Sequence, residues 1–187
     1  MTIRPIKNIP AWWWAGLPLA MLLLTVAAFF ASPDYLQMLI RKDTGPDGGG
    51  IAEHATVLVL LPGILAGAAV LLHYRTQLPH WLTGWVLAWT LACIYFAGEE
   101  ASWGQHYLHW GTPDLLQAVN DQQETNLHNI GTWFDQKPRT LVELWVLVAG
   151  LILPLWWAIR GRAPLGRKAW REWFWPTSIG MLSAAIF

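Results

Sequence analysis

Runs of apolar residues too long for the core helices of a water-soluble domain dominate this chain and limit what it can fold into. Residues 11–32 contain no charged side chain, and further apolar runs cover 55–72, 81–98 and 144–159. A hydrocarbon layer of about 30 Å is crossed by roughly 20 helical residues. In that solvent every backbone N–H and C=O must be paired within the segment, which selects helices over irregular chain. With their flanks, these runs predict an all-α, polytopic transmembrane bundle with spans at 11–32, 55–74, 81–98 and 140–159 in one domain, residues 1–187. A fifth run, 173–187, rises only about 22 Å as a helix, so it is expected to be an incomplete span, either cut short or completed by another chain. Charged residues make up 13% of the sequence, about half the share of a soluble domain. The formal net charge is zero, which offers nothing to a nucleic acid.

Charge placement predicts orientation, because Lys and Arg collect in the cytoplasmic loops. With the N-terminus inside, Arg4, Lys7, Arg75, Arg160, Arg162, Arg167, Lys168 and Arg171 are inside, eight of the twelve basic residues. Arg41, Lys42, Lys137 and Arg139 fall outside, with every acid except Glu172. Trp12–Trp14, Trp81, Trp156, Trp157, Trp170, Trp173 and Trp175 gather near the inner boundary, as an interfacial aromatic belt does. The expected setting is a bacterial inner (plasma) membrane, multi-pass, with segments 33–54 and 99–139 extracytoplasmic. The first apolar run exceeds a signal-peptide core and is read as an uncleaved anchor. Cys93, the single cysteine, lies within a span and has no partner for an intrachain disulfide.

Inside the spans, Pro18, Pro62 and Pro154 are expected to kink helices, and Gly63-Ile-Leu-Ala-Gly67 lets a second helix approach closely, within the chain or in a dimer. No Asp, Glu, Lys or Arg lies mid-span, which argues against an ion carrier.

The chemistry-bearing residues gather in the outer segments. The third span runs into Glu99-Glu100-Ala-Ser102-Trp103-Gly104-Gln105-His106. If the helix continues, Glu99, Ser102, Trp103 and His106 share a face and Glu100 turns aside. Thr112-Pro113-Asp114 carries helix-start signals and predicts a short interfacial helix over 113–119. Glu124 and His128 are four apart and would share a face of a helix. Glu53 and His54 stand at the outer end of the second span. Carboxylates and imidazoles at one depth suit two chemistries. Glu53, Glu124 and His128 are candidate ligands of a divalent metal, and Glu99 or Glu100 is a candidate general base on a bound water. His106 and His109 are weaker candidates as ligands, and His73 and His80 are expected to be structural. Neither a zinc-protease H-E-x-x-H motif nor a Gly-x-Ser-x-Gly elbow is present.

The run EEASWGQHYLHWGTPDLLQAVNDQQETNLHN, Glu99 to Asn129, resembles a family of uncharacterised bacterial polytopic membrane proteins. Its members carry EExSWGQ after a span, then TP, then an N-x-Q-x-E-x-NLHN-like stretch. An acidic–glycine turn before a glutamate, Asp47-Gly48 and Glu53 here, is also similar. The resemblance covers about a third of the chain and implies a site without naming its activity. Two functions are therefore expected. One is an outward-facing Glu/His enzyme, metal- or carboxylate-dependent, acting on a lipid-linked or amphipathic substrate. The other is a non-catalytic subunit or interaction protein, with membrane lipid and a protein partner or second copy around it.

Overall fold

The computed structural model describes residues 15–32, 34, 50–120, 122–161, 174–175 and 180–186, with side chains at all of these but 132 and 135. Within them the only regular secondary structure is helix, with no strand. Two compact units are present, Asp34–Leu141 and Met1–Pro33 with Val142–Phe187.

In the first unit, α2 (Ile51–Tyr74) and α3 (His80–Glu100) form a helical hairpin. Helix α2 starts earlier than the hydropathy predicts. The Glu53 carboxylate turns back to accept the Gly50 N–H at 2.7 Å, pairing one of the donors that a helix start leaves open. Pro62 sits inside α2 without ending it. At the other end, Gln77 N–H bonds Tyr74 O at 2.8 Å in the tight turn to α3.

The two helices meet along the small-residue pattern. A Cβ on Gly67 would collide with the Thr90 side chain, and one on Gly63 would rest 3.5 Å from Cys93 Sγ. The Gly63–Gly67 face is thus occupied by this chain's own α3. Thr90 is buried there, and its hydroxyl is satisfied by Val86 O at 2.7 Å.

After α3 come two single-turn helices, α4 (Gln105–Leu108) and α5 (Asp114–Gln117), and a non-helical segment at 122–131. Helix α6 (Thr132–Trp145) then leads through a π-helical stretch, Val146–Ile152, into α7 (Leu153–Ile159).

The second unit holds α1 (Leu17–Ala31), the continuation from Val142 through α7, and α8 (Met181–Ile186). Pro18 lies in the first turn of α1, directly after a π-helical pair at 15–16. Pro154 lies in the first turn of α7 and cannot donate to Gly150 O, four residues back. The wide π turn falls just before that proline. Gly150 also lets α8 approach, since a Cβ there would be 3.0 Å from the Ala184 Cβ. Trp175 stacks on Trp145 with ring centroids 5.5 Å apart.

Among the described residues, three helices are long and apolar enough to cross a membrane: Ile51–Tyr74, His80–Glu100 and Gln136–Ile159. The 15 residues of α1 fall short of that length. The expected fifth run is described only at 174–175 and 180–186, and the basic cluster at 162–171, the tail at 1–14 and the Gly-rich turn at 45–49 lie outside the described residues.

Burial is inverted relative to a water-soluble protein. Helices α1 and α2 have no buried residue, and large side chains such as Leu24, Phe30 and Leu72 stand exposed. Among the described residues, the buried apolar side chains are Leu82, Ala97, Ala101, Ala149 and Pro154. The buried polar ones are more numerous: Thr90, Glu99, Ser102, Gln105, His106, Thr112, Asn120, Glu124 and Asn126. All but Thr90 of these polar residues belong to the segment between Glu99 and Asn126.

Candidate functional site

Helix α3 stops at Glu100 because the chain turns left. Ser102, Trp103 and Gly104 have φ of 45°, 54° and 106°, a region costly for residues with a Cβ. The expected single face through Glu99, Ser102, Trp103 and His106 therefore does not form. Trp103 folds back onto Gly98, where a Cβ would sit 2.9 Å from the indole. Its Nε1–H donates to Glu99 Oε1 at 2.6 Å. This reversal brings Ser102 and His106 opposite the later segment, 120–129.

Glu99, 3% exposed, anchors that segment. Its Oε2 accepts the backbone N–H of Leu127 at 2.7 Å and of His128 at 2.8 Å, and His128 Nδ1 lies 3.4 Å away. A buried carboxylate is tolerated when paired with donors, and this one holds three N–H groups and faces an imidazole. Glu100 is half buried in the last turn of α3.

Glu124, also 3% exposed, organises a second cluster. Its Oε2 accepts from Ser102 Oγ at 3.0 Å, Asn126 Nδ2 at 2.6 Å and Asn129 Nδ2 at 3.2 Å. Its Oε1 is 3.5 Å from His106 Nε2. Ser102 Oγ, fully buried, also contacts His106 Nε2 and Asn126 Nδ2, each at 3.0 Å.

Amide side chains hold the frame. Asn120 Oδ1 accepts from the backbone of Gln122 at 3.0 Å and Glu124 at 3.3 Å, and its Nδ2 donates to Asn126 O at 3.0 Å. Gln105 accepts the Thr125 N–H at 2.6 Å and donates to Thr112 Oγ1 at 2.8 Å. Thr112 Oγ1 in turn donates to Gln123 O, so it ties two segments together and does not cap α5, whose cap position is Pro113. Trp110 Nε1 donates to Thr125 Oγ1 at 3.1 Å.

The sequence-predicted residues separate into different neighbourhoods. The segment at 122–131 has no helix, and Glu124 and His128 face different partners, His106 with Ser102 in one case and Glu99 in the other. Glu53 is engaged at the start of its own helix. Among the described residues no group of three or more His, Cys, Asp or Glu side chains is arranged to hold a metal ion. His54, beside Glu53, reaches the site by another route, with Nδ1 3.1 Å from the Tyr107 hydroxyl and its ring edge-to-face with His106 at 6.4 Å. His73 bonds Ala69 O at 3.0 Å, as a structural histidine would.

Ser102, Gln105, Asn120 and Asn126 were not singled out by sequence reasoning as site members. The signal was present as a run of amides and hydroxyls in a chain otherwise poor in buried polar groups. Comparison with protein-family models, curated proteins and solved structures finds no match.

Proposed function

We propose that this chain is a multi-pass membrane protein with a carboxylate/histidine catalytic site at the extracytoplasmic end of a span, acting on a lipid-linked or amphipathic substrate. Lipid as solvent accounts for the exposed leucines of α1 and α2, since such surface would cost about 25 cal/mol per Å² in water. Four or five spans, an inner-membrane location and kinship with the EExSWGQ family belong to the same proposal.

One observation carries the catalytic part. Two acid–imidazole pairs, Glu124 with the buried His106 and Glu99 with the half-buried His128, stand in a hydrogen-bonded polar frame directly after an apolar helix. An imidazole oriented by a carboxylate and a hydroxyl is the arrangement of an acid–base catalyst. A metal-free mechanism is favoured over the metal one, because Oε2 of each carboxylate already accepts from two or more protein donors and Glu53 accepts the Gly50 N–H. The Glu124–His106 pair is accordingly the proton-handling unit, and Glu99 positions His128 and the loop.

The test compares membrane lipids, by mass spectrometry, from cells making the wild-type chain and cells making Glu124→Gln at equal abundance. A lipid-linked species that changes only with the wild type is expected. Identical profiles would refute the enzyme.

The hydrogen bonds that Glu99 and Glu124 accept within the chain also fit a second reading, a non-catalytic subunit whose polar loop is a platform for a protein partner or a second copy. Gentle detergent extraction and sizing test it, and a strictly monomeric species would exclude it.

A further inference from the structure

Among the described residues, one buried side-chain polar atom lacks a hydrogen-bond partner, Nδ1 of His106. The residue is 6% exposed, so bulk water does not make good the deficit, and buried polar atoms are seldom left in this state.

The hydrogens at the opposite edge of the ring determine the tautomer. Ser102 Oγ lies 3.0 Å from Glu124 Oε2. A carboxylate has no hydrogen to give, so that contact is a bond only if the serine donates. Ser102 has one hydrogen, now committed, while Asn126 Nδ2 donates to Oγ from 3.0 Å. The remaining neighbour, His106 Nε2 at 3.0 Å, faces an oxygen with nothing left to donate. The proton must therefore be on Nε2. In the neutral ring Nδ1 is then a bare lone pair.

We infer that Nδ1 of His106 is the ligand-facing atom of the site, the acceptor for an O–H group carried by a bound water or by an alcohol of an amphipathic substrate. His54 stands edge-to-face with His106, and the Tyr107 hydroxyl bonds His54. Both of these residues are more open than His106.

When the O–H bond breaks, its electron pair stays on oxygen and the proton becomes Nδ1–H. The charge gained by the ring is balanced by Glu124, 3.5 Å from Nε2. The chemistry rests on the Glu/His reading above, whereas the tautomer rests only on the hydrogen count.

Two measurements test the inference. The first is ¹⁵N NMR of histidine-labelled whole protein in nanodiscs of phosphatidylcholine alone, and of phosphatidylcholine with phosphatidylglycerol, whose headgroup carries hydroxyls. The His106 signals are assigned by their loss in His106→Gln. An Nε2–H tautomer with a hydrogen-bonded Nδ1 is expected. A Nδ1 signal that changes with phosphatidylglycerol identifies an alcohol, and the same hydrogen-bonded signal in both lipids identifies water. A protonated Nδ1, or one free of hydrogen bonding in both lipids, overturns the inference.

The second uses His106→Gln, which keeps an N–H near the Nε2 position and has no counterpart of Nδ1. It is expected to unfold at the wild-type detergent concentration while losing the lipid product. A product at wild-type level would overturn the inference. If the wild type itself yields no product, the enzyme reading fails and the NMR result alone decides this one.

Discussion

Removing the Glu99 carboxylate should release the segment it anchors, and the amide hydrogens report this directly. Glu99 Oε2 holds the Leu127 and His128 N–H groups at 2.7 and 2.8 Å. Hydrogen bonds to an ionised group are worth about 1.5–3 kcal/mol each. Taking about 2 kcal/mol for the local opening, Glu99→Ala should speed exchange at both amides by roughly 30-fold, since 1.4 kcal/mol corresponds to tenfold. The Trp103 indole loses its acceptor as well, so three donors are stranded, and the summed penalty of at least about 3 kcal/mol lowers the folded-to-unfolded ratio by roughly a hundredfold. Glu99→Gln retains one neutral oxygen for the two amides and should exchange less than about tenfold faster, while its NH₂ group confronts the Trp103 N–H. The assay is hydrogen–deuterium exchange of the whole protein in micelles, read at Leu127 and His128, with detergent-induced unfolding alongside. Unchanged protection of both amides in Glu99→Ala would refute the anchoring role.

Gly67→Ala should destabilise the α2–α3 hairpin by about 1–3 kcal/mol through overpacking. Adding Thr90→Ala, which leaves the Thr90 Cβ 3.2 Å from the new methyl, should recover part of that loss in the same unfolding titration. Elemental analysis of the purified protein should find no stoichiometric divalent metal that disappears in Glu124→Ala or His128→Ala, and finding one would restore the metal mechanism. In a Cys93→Ala background, a membrane-impermeant thiol reagent added to intact cells should label Leu115→Cys, at a position 86% exposed, and not Gln77→Cys. The opposite pattern would invert the orientation.

Helix existence and type were legible because lipid-length apolar runs leave the backbone few choices. The predicted spans at 55–74 and 81–98 correspond to α2 and α3, and 140–159 falls within Gln136–Ile159. The boundaries were less legible. Glu53 draws α2 back to Ile51, four residues before the expected start. The site residues Glu99, Glu124 and His128 were recognisable from their side chains, but their grouping was not. Helical spacing paired Glu124 with His128, whereas a left-handed turn at Ser102–Gly104 pairs Glu124 with His106. Only Gly104 in that turn marks a departure from helix in the sequence, since Ser and Trp carry no preference for positive φ. Thr112 misled in a similar way. Its hydroxyl is the usual helix cap, yet a buried carbonyl, Gln123 O, competes for it successfully.

The reversal after α3 has an architectural consequence. Among the described residues, the hydrogen bonds of the two acid–imidazole clusters close between Glu99 and Asn129, a stretch of about thirty consecutive residues, with His54 reaching His106 from an earlier helix. The geometry is consequently local. Sliding or tilting of distant helices, or a change in bilayer thickness, can pass through the rest of the molecule while Glu124, Ser102 and His106 keep their mutual spacing, because the hydrogen bonds described among them close within this short stretch.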